Sequence, residues 1–578
     1  MSTPASYLMS AGTLPPAVRS IAERGTRGLE IGALIALASL PLLHSLFAPF
    51  FADDYFHLEI ASGFPKSLWR GWVLPIDTAG TWWTPPGLVV EYFRPLVVLS
   101  FALDRACYGA HPAGYHFTNL AMHIASTLLV WAIARHTLGP GLRAWSAAAL
   151  FAIHPCHAQA IAWISGRTDV LASTLYAGAF LLYLQSRPLR PESSRRFALS
   201  MVFFSLALLA KEMAITLPAL MLVDCWLTPS KERPLRRFAA PAIAGFVAAS
   251  YVGLRTYFIG GIHAPPSPFA HSIGDAGFFR HVLTAPFLYL ADFTLFVPPD
   301  PMVTEPFWHR HPAAFAALAT LAVAALWDTA RRVAERRALV WGLAWMAITL
   351  LPVAMLTVGE HFLYLPSMGY CILFGARWPA LDARSRPMLA ATVASVLAIS
   401  AGRTWLFDRV ADASSRVVDE AAAALDRAPQ ATDLLVAELP WAASLAFPHA
   451  LRLSRPDRRV RAEILSIGAD VFAGAAPSEV RFGASGRLEL RRDGAFLGTY
   501  IERALAGPRP SFSSGQLFDR PSFTARIIDA PEGRLRAFEV DLKDPAHTLL
   551  LRGVGADIEE WTPDAGGPVR PTALAEPR

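Results

Sequence analysis

The sequence predicts an all-α polytopic membrane domain of about eleven transmembrane helices, followed by a small, mostly β C-terminal domain. Two observations predict this fold class. The 578-residue chain is 53% hydrophobic and only 17% charged, with a mean hydropathy of +0.36, which is too apolar for an ordinary soluble protein. Apolar runs of spanning length also recur up to residue 403, and short alternating runs broken by Gly and Pro follow them.

The predicted spans cover residues 31–50, 113–134, 144–162, 168–185, 197–211, 213–228, 238–259, 312–328, 338–358, 361–379 and 387–403. A further apolar run, 281–297, carries Asp292, and we interpret it as interfacial or re-entrant. If it crossed, the arginine cluster at 331–337 would lie outside, against the positive-inside rule. With the N-terminus inside, the short basic loops are cytoplasmic.

The loops predicted to face outward are 51–112, 162–168, 211–213, 259–311 and 357–362. The first of them is dense in Trp, Pro and other aromatic residues, including Trp82-Trp83. Such side chains prefer the headgroup zone, so we expect helices lying along the outer surface.

The composition divides the chain into five expected parts. They are a cytoplasmic segment (1–28), a membrane domain (29–404), an amphipathic helical linker (405–432), a β-rich extracytoplasmic domain (433–562) and a disordered tail (563–578). Expected strands include Val460–Leu465, Arg487–Arg491, Leu535–Leu542 and Thr548–Leu551. We expect the first span to be retained, because no small-residue cleavage site follows it.

Several function classes are excluded by composition and pattern. The four cysteines are scattered without CxxC spacing, which gives neither a disulfide framework nor a zinc signature. The net charge of +6 is small, and the basic clusters lie between spans, so they indicate topology rather than a nucleic-acid surface. The chain has no Walker pattern and no GxGxxG motif after a strand.

The acidic doublet Asp53-Asp54 lies at the mouth of the first predicted span. Each carboxylate would cost about 2.5–3.5 kcal/mol at the bilayer centre, so the pair is expected at the water interface. The spacing alone is equally compatible with an interfacial helix cap and with a catalytic site.

Four other polar groups come to the same side. His154 and His157 could hold a metal ion together with carboxylates from outside the motif, although a proline-kinked helix end is the favoured alternative. Lys211-Glu212 is either a buried ion pair or a site where the lysine meets an anionic ligand.

His116, Asn119 and His123 share one helical face, and helix–helix hydrogen bonding is the favoured interpretation for His123. Glu360-His361 opens a late span, where both residues could equally be interfacial anchors. None of these four groups, taken alone, indicates a particular function. Together with the basic residues Arg94, Arg167 and Lys211, they predict an outward-facing site for a phosphate-bearing substrate and a hydroxyl-bearing acceptor.

Six motifs, taken in chain order, resemble those of a known family. They are Asp53-Asp54, Phe93-Arg94-Pro95-Leu96, Gly114-Tyr115-His116-Phe117-Thr118-Asn119, His154-Pro155-Cys156-His157 with Gly166-Arg167 and Asp169, Lys211-Glu212, and Glu360 with Leu363-Tyr364-Leu365-Pro366-Ser367. In this order they resemble the multispanning GT-C glycosyltransferases, closest to the TMTC-type protein O-mannosyltransferases. The resemblance covers about residues 30–410 and does not reach the C-terminal region.

The resemblance implies a GT-C-like membrane domain and a sugar donor carried on a polyprenyl phosphate. It also implies transfer on the extracytoplasmic side, with Asp53 or Asp54 at the place of the acidic base. The sequence departs from the family at two points. His361 stands where the family usually has Arg, and a β-like domain replaces the tetratricopeptide tail, so the acceptor is either a protein or a glycan.

The resulting hypothesis is an inverting transfer of a mannose-like hexose. The phosphate charge is met by Arg94, Arg167, Lys211 or His361, and a divalent metal bridging Asp and phosphate is compatible but not required. The remaining site candidates are His116, Asn119, His154, His157, Asp169, Glu212 and Glu360. We expect a bacterial inner (plasma) membrane location, with the site and the C-terminal domain facing the periplasm. The alternatives are a transporter or flippase of lipid-linked sugars and a non-catalytic membrane scaffold.

Overall fold

The computed structural model describes residues 16–63, 73–77, 81–84, 89–187, 193–229, 234–260, 277–300, 304–377, 386–444, 446–468, 478–482, 487–497, 502, 506, 511–554 and 557–561. The segment expected to be cytoplasmic, 1–28, is therefore described only in part. The tail expected at 563–578 lies outside the described residues, as do Trp69 and Trp72 of the first long loop.

Helices dominate the first three quarters of the chain. They are α1 (Pro16–Ser39), α2 (Asp54–Ser62), α3 (Pro95–Tyr108), α4 (Pro112–Leu138), α5 (Leu142–Ile153), α6 (Ala158–Ala162), α7 (Arg167–Gln185), α8 (Ser194–Ala210), α9 (Leu217–Leu227), α10 (Pro234–Arg237), α11 (Ala239–Ile259), α12 (Phe278–Leu295), α13 (Thr304–Arg310), α14 (Pro312–Arg331), α15 (Arg336–Leu350), α16 (Tyr364–Ala376), α17 (Arg386–Arg427) and α18 (Phe447–Ser454).

A helix occurs within each of the predicted spans. Five helices in the described part are long and apolar enough to cross a membrane: Pro112–Leu138, Ala239–Ile259, Pro312–Arg331, Arg336–Val353 and Ala390–Arg427. Four of the helices within the remaining predicted spans (α5, α8, α9 and α16) have 11 to 17 residues. The chain is an integral membrane protein.

The first predicted span, 31–50, ends earlier than expected. Helix α1 stops at Ser39, and two short 3-10 turns, Leu40–Leu42 and His44–Phe47, carry the chain towards the acidic doublet. Pro41 explains the break because it has no backbone N–H to continue the helix. The chain thus reaches Asp53 as irregular backbone, which can place side chains that a straight helix could not.

The first long loop, 51–112, differs from the expected row of surface helices. It contains α2 and α3, but between them lie two antiparallel strands, β1 (Val73–Asp77) and β2 (Val89–Phe93). Trp82 and Trp83 do not lie free on a surface. Both indoles are buried in the core of the C-terminal domain, and this contact removes their apolar area from water.

The C-terminal domain contains two sheets. The first has the order β11 (Asp557–Glu560), β10 (Thr548–Val554), β3 (Asp433–Ala437) and β4 (Arg461–Ile464), with the last three parallel. The second is antiparallel, in the order β5 (Glu479–Phe482), β6 (Leu488–Arg491), β9 (Ala537–Leu542), β8 (Phe523–Asp529) and β7 (Leu517–Asp519). The four strands expected from the sequence are confirmed as β4, β6, β9 and β10.

Helix α18 of this domain was not predicted. Helix α18 crosses between the parallel strands β3 and β4, and it buries Phe447, Ala450 and Leu451 at helical spacing. The linker expected at 405–432 is not a separate helix either, since α17 continues unbroken from Arg386 to Arg427. Its C-terminal part packs in the core of the C-terminal domain.

Candidate active site

Asp54 closes the turn that follows the first span. Its side chain is fully buried, and one carboxylate oxygen accepts the backbone N–H of Phe51 at 3.1 Å. The other oxygen accepts both the backbone N–H (2.8 Å) and the hydroxyl (2.5 Å) of Ser165. Ala52, between these groups, has a φ of +50°, a strained value for a residue with a Cβ. Asp54 therefore holds this turn against the turn that precedes α7.

Asp53 is placed differently. Its side chain is partly exposed, and among the described residues nothing hydrogen-bonds to its carboxylate. Burial raises the pKa of Asp53 to about 6, against the opposing charges of Arg94 and His449. Burial also raises the pKa of Asp54 to about 7, although its hydrogen bonds to Ser165 and Phe51 lower it. Asp53 is thus the member of the doublet that can exchange a proton with a bound molecule.

Arg167 is enclosed on all sides. It pairs with Asp104 at 2.6 Å and donates to the Asn119 side-chain oxygen (2.8 Å) and the carbonyl of Tyr115 (3.0 Å). Its guanidinium also lies over the ring of Phe101 at 4.6 Å. The preceding Gly166 packs so closely on the backbone of Ala160 that a Cβ would lie 2.5 Å from that carbonyl oxygen. This network fixes the turn that presents Ser165 to Asp54.

We expect Arg167→Met to destabilise the protein by about 3–5 kcal/mol, because it would leave the Asp104 carboxylate buried without its partner. Thermal unfolding of the purified protein in detergent measures this effect. The exposed Arg331, which pairs with Asp328 on the surface, provides the matched control, Arg331→Met. Equal unfolding temperatures for the two variants would contradict a structural role for Arg167.

Two further ion pairs lie beside the doublet. Arg94 donates to Glu212 at 2.8 Å, and Lys211 donates to both oxygens of Asp169 at 2.7 and 2.6 Å. Of the two alternatives for Lys211-Glu212, the ion pair between these two side chains does not form, since each pairs with another residue. Lys211 is at the end of α8, where its backbone is extended, and the two adjacent side chains turn to different partners. Arg94 is close enough to Asp53 to lower the pKa of that carboxyl.

The motif Glu360-His361 lies at a second edge of the same region. The backbone N–H of His361 donates to the side-chain oxygen of Gln159 at 2.9 Å. Glu360 is buried and pairs with Arg403 of α17 at 3.3 Å, and Arg403 also binds Asp292 at 2.7 Å. Glu360 is thus engaged by a partly buried arginine rather than free as an interfacial anchor.

The remaining candidates make contacts between helices. His116 hydrogen-bonds to the carbonyl of Ala48 (3.1 Å). His123 hydrogen-bonds to the hydroxyl of Tyr364 on α16 (2.8 Å), in agreement with the helix–helix interpretation of this residue. His154 contacts the carbonyl of Phe293, and His157 contacts Ser367. In the described ranges no three His, Cys, Asp or Glu side chains are grouped as metal ligands.

Sequence reasoning missed two histidines near the doublet. His57 is buried, its ring stacks on Phe101 at 4.3 Å, and burial lowers its pKa to about 3. Its position one helical turn after Asp54 was a usable signal. His449 comes from α18, about 390 residues away in the sequence, and no local pattern connects it to Asp53.

Curated proteins similar to this chain were found by sequence comparison. Human TMTC2 is 31% identical over 265 residues, which is 43% of this chain and 31% of that protein. Drosophila melanogaster Tmtc1 is 40% identical over 124 residues, which is 22% of this chain and 14% of that protein. Both carry the name protein O-mannosyl-transferase. The chain is similar in sequence to the TMTC-type protein O-mannosyltransferases.

The chain spans about a third or less of the length of these TMTC-type relatives. No protein-family model matches it. Solved structures found by comparison with this chain include the mycobacterial arabinofuranosyltransferase AftD, with 15% identity, 75% of this chain and 30% of that one covered, and a TM-score of 0.43. ArnT from Cupriavidus metallidurans bound to undecaprenyl phosphate has 14% identity, coverage of 76% and 90%, and a TM-score of 0.42.

Proposed function

We propose that the protein is a membrane glycosyltransferase that moves a hexose, mannose-like by analogy with its relatives, from a polyprenyl-phosphate carrier to a hydroxyl group. The acceptor is a protein or a glycan, and transfer occurs on the extracytoplasmic side of a bacterial inner membrane. One observation carries the proposal: the partly exposed carboxylate of Asp53 has no hydrogen-bond partner in the described part of the chain and lies beside the cationic Arg94. The names of the TMTC-type relatives support the choice of reaction.

The proposed reaction is a single displacement with inversion. Asp53 accepts the proton of the acceptor hydroxyl, and the hydroxyl oxygen forms a bond to the anomeric carbon. The bond from that carbon to the phosphate oxygen breaks, and the carrier phosphate leaves with the electron pair. General-base help of this kind contributes about 10²–10⁴-fold. A carboxylate whose pKa is raised to about 6 is better matched to this task near neutral pH than an ordinary aspartate.

Arg94 is the cation best placed to meet the charge on the leaving phosphate. Arg167 is fully buried and engaged by Asp104, and we assign it the role of supporting the Ser165 turn. Arg94 keeps a partly exposed surface, and its carboxylate partner among the described residues is Glu212, whose own side chain is 39% exposed. Lys211 lies within electrostatic range of Arg94 and can add to the positive field. His361 lies beside the same two cations, which disfavour its protonated form, so it adds no charge to that field.

We expect Arg94→Gln to lower kcat/KM by about 10²–10³-fold, as removal of a group that stabilises transition-state charge does elsewhere. Glu212→Gln is the matched control, because it removes the ion pair but keeps the guanidinium. Steady-state kinetics with a labelled polyprenyl-phosphate sugar measure both variants. If both lose activity equally, the ion pair rather than the guanidinium is what matters, and the assignment of Arg94 to the phosphate is wrong.

The function itself is tested by incubating purified protein with radiolabelled polyprenyl-phosphate sugars and a membrane extract. The proposal predicts that label moves to a protein or glycan product and that free polyprenyl phosphate is released. A transporter would instead move labelled lipid across a vesicle membrane without forming product, and a scaffold would do neither. Either of those results would contradict the proposal.

A further inference from the structure

The helix that carries the acidic doublet lies between the two domains. On one side of α2, Asp54 reaches Ser165 and the ring of His57 stacks on Phe101, both of the membrane domain. On its other side, α2 meets helix α18 of the C-terminal domain. Because α2 has only nine residues, it is too short to be stable alone, and its position depends on these neighbours.

The contact with α18 is built from an aromatic pair and a charged cluster. The ring of Phe56 lies edge-on to the imidazole of His449, with 4.2 Å between the ring centroids. Glu59, one turn later, pairs with His449 and accepts two hydrogen bonds from Arg452 at 3.0 and 3.1 Å. Opposite charges on both sides of this contact hold α2 in one orientation.

A second attachment lies further along the same loop. Thr81 forms a parallel β-bridge with Ile464 at the end of β4, and the indole N–H of Trp82 donates to the carbonyl of Leu465 at 3.0 Å. The Trp82 ring packs on Phe518 and Phe538, with centroid distances of 5.2 and 4.7 Å. In the described part of the loop between the doublet and Arg94, two segments are therefore attached to the C-terminal domain.

We propose that His449 of the C-terminal domain is a positioning residue for the transfer reaction: through Glu59 and Phe56 it holds α2 so that the Asp53 carboxylate faces the acceptor. This inference rests on the proposed function. It makes the C-terminal domain a part of the active site, in addition to any role in binding an acceptor.

His449 also contributes to the charge around Asp53. Among the described residues, Arg94 at the start of α3 and, when protonated, His449 on α18 act on that carboxylate, which also interacts with the neighbouring Asp54. Arg94 and His449 both lower the pKa of Asp53. A change at His449 should therefore alter the pH dependence of the reaction, which loss of a purely structural contact would not do.

The test compares His449→Gln with Arg455→Gln in the full-length protein. Arg455 lies at the end of the same helix and pairs with Asp426 of α17, away from α2. We expect His449→Gln to lower kcat about tenfold or more with little change in the KM for donor, since small misplacements of a catalytic group have effects of this size. The acid limb of the pH–rate profile of His449→Gln should move to higher pH, because Asp53 loses a neighbour that lowers its pKa. Arg455→Gln should match the wild type, and His449→Arg should restore the acid limb.

Thermal unfolding in detergent accompanies these assays and separates misfolding from misplacement. A folded His449→Gln protein with wild-type kcat and pH profile would overturn the inference, and so would equal losses of kcat in both glutamine variants. Asp53→Asn in the same assay separates a failure of the proposed function from a failure of the proposed role of His449. If that variant is inactive while His449→Gln behaves as wild type, the proposed function stands and the role of His449 is wrong.

Discussion

Asp53→Asn is expected to reduce sugar transfer by about 10²–10⁴-fold while leaving the unfolding temperature of the protein unchanged. The change removes the proton acceptor but keeps the size of the side chain, and among the described residues no hydrogen bond to that carboxylate is lost. Initial rates with a labelled polyprenyl-phosphate sugar, together with thermal unfolding in detergent, measure both quantities.

Asp54→Asn is the matched control for this prediction. The Asp54 carboxylate accepts three hydrogen bonds, from Phe51 and Ser165, and an amide nitrogen in its place would face one or more of these donors. We therefore expect Asp54→Asn to lower the unfolding temperature as well as the activity. A folded and fully active Asp53→Asn protein would remove the assignment of the base.

Trp82→Ala is expected to have the second large effect. The indole is 2% exposed and sits in the core of the C-terminal domain, so truncation should cost about 3–5 kcal/mol. It would also release the middle of the loop that carries Asp53 and Arg94, and transfer activity should fall with it. Thermal unfolding and initial rates measure the two losses.

An exposed tryptophan provides the control for this experiment. Trp327 on α14 is 69% exposed, and Trp327→Ala should change neither stability nor activity appreciably. If Trp82→Ala were as stable and as active as Trp327→Ala, the attachment of the loop to the C-terminal domain would contribute neither to stability nor to transfer activity.

The contacts between the first loop and the C-terminal domain also determine how a truncation experiment is interpreted. Removal of the chain after Arg403 would cut α17 near its middle and leave Trp82 and Trp83 without the core that buries them. A membrane domain prepared in this way should lose transfer even to a small acceptor. Such a loss of transfer activity would not show that the protein is a non-catalytic scaffold, because the truncation would displace the first loop as well as any acceptor site.

The sequence predicted the helical membrane domain well because long apolar runs carry a strong, local signal. The strands β4, β6, β9 and β10 were found for a similar reason, since each alternates or forms a short apolar run. Helix α18 was missed because eight residues among strands give a weak period. The continuity of α17 was missed because a change from apolar to amphipathic composition resembles a boundary between domains.

The site was predicted in part, and the reason lies in its long-range contacts. The structure places Asp53, Asp54, Arg94 and Lys211, which the motifs marked, within electrostatic range of one another along the row Asp54, Asp53, Arg94 and Lys211. The spacing of the motifs could not show which side chains pair with each other. The pairing of Lys211 with Asp169, the enclosure of Arg167 by Asp104, and the approach of His449 all join distant parts of the chain.

The pH dependence of donor consumption by purified protein tests the central claim most directly. If Asp53 is the general base, the rate should rise with pH through a single deprotonation near the pKa of about 6, because only the ionised carboxylate accepts the proton. The Asp53→Asn protein should lack this rise. A wild-type protein that consumes no polyprenyl-phosphate sugar at any pH, or a variant that keeps the same profile, would contradict the account.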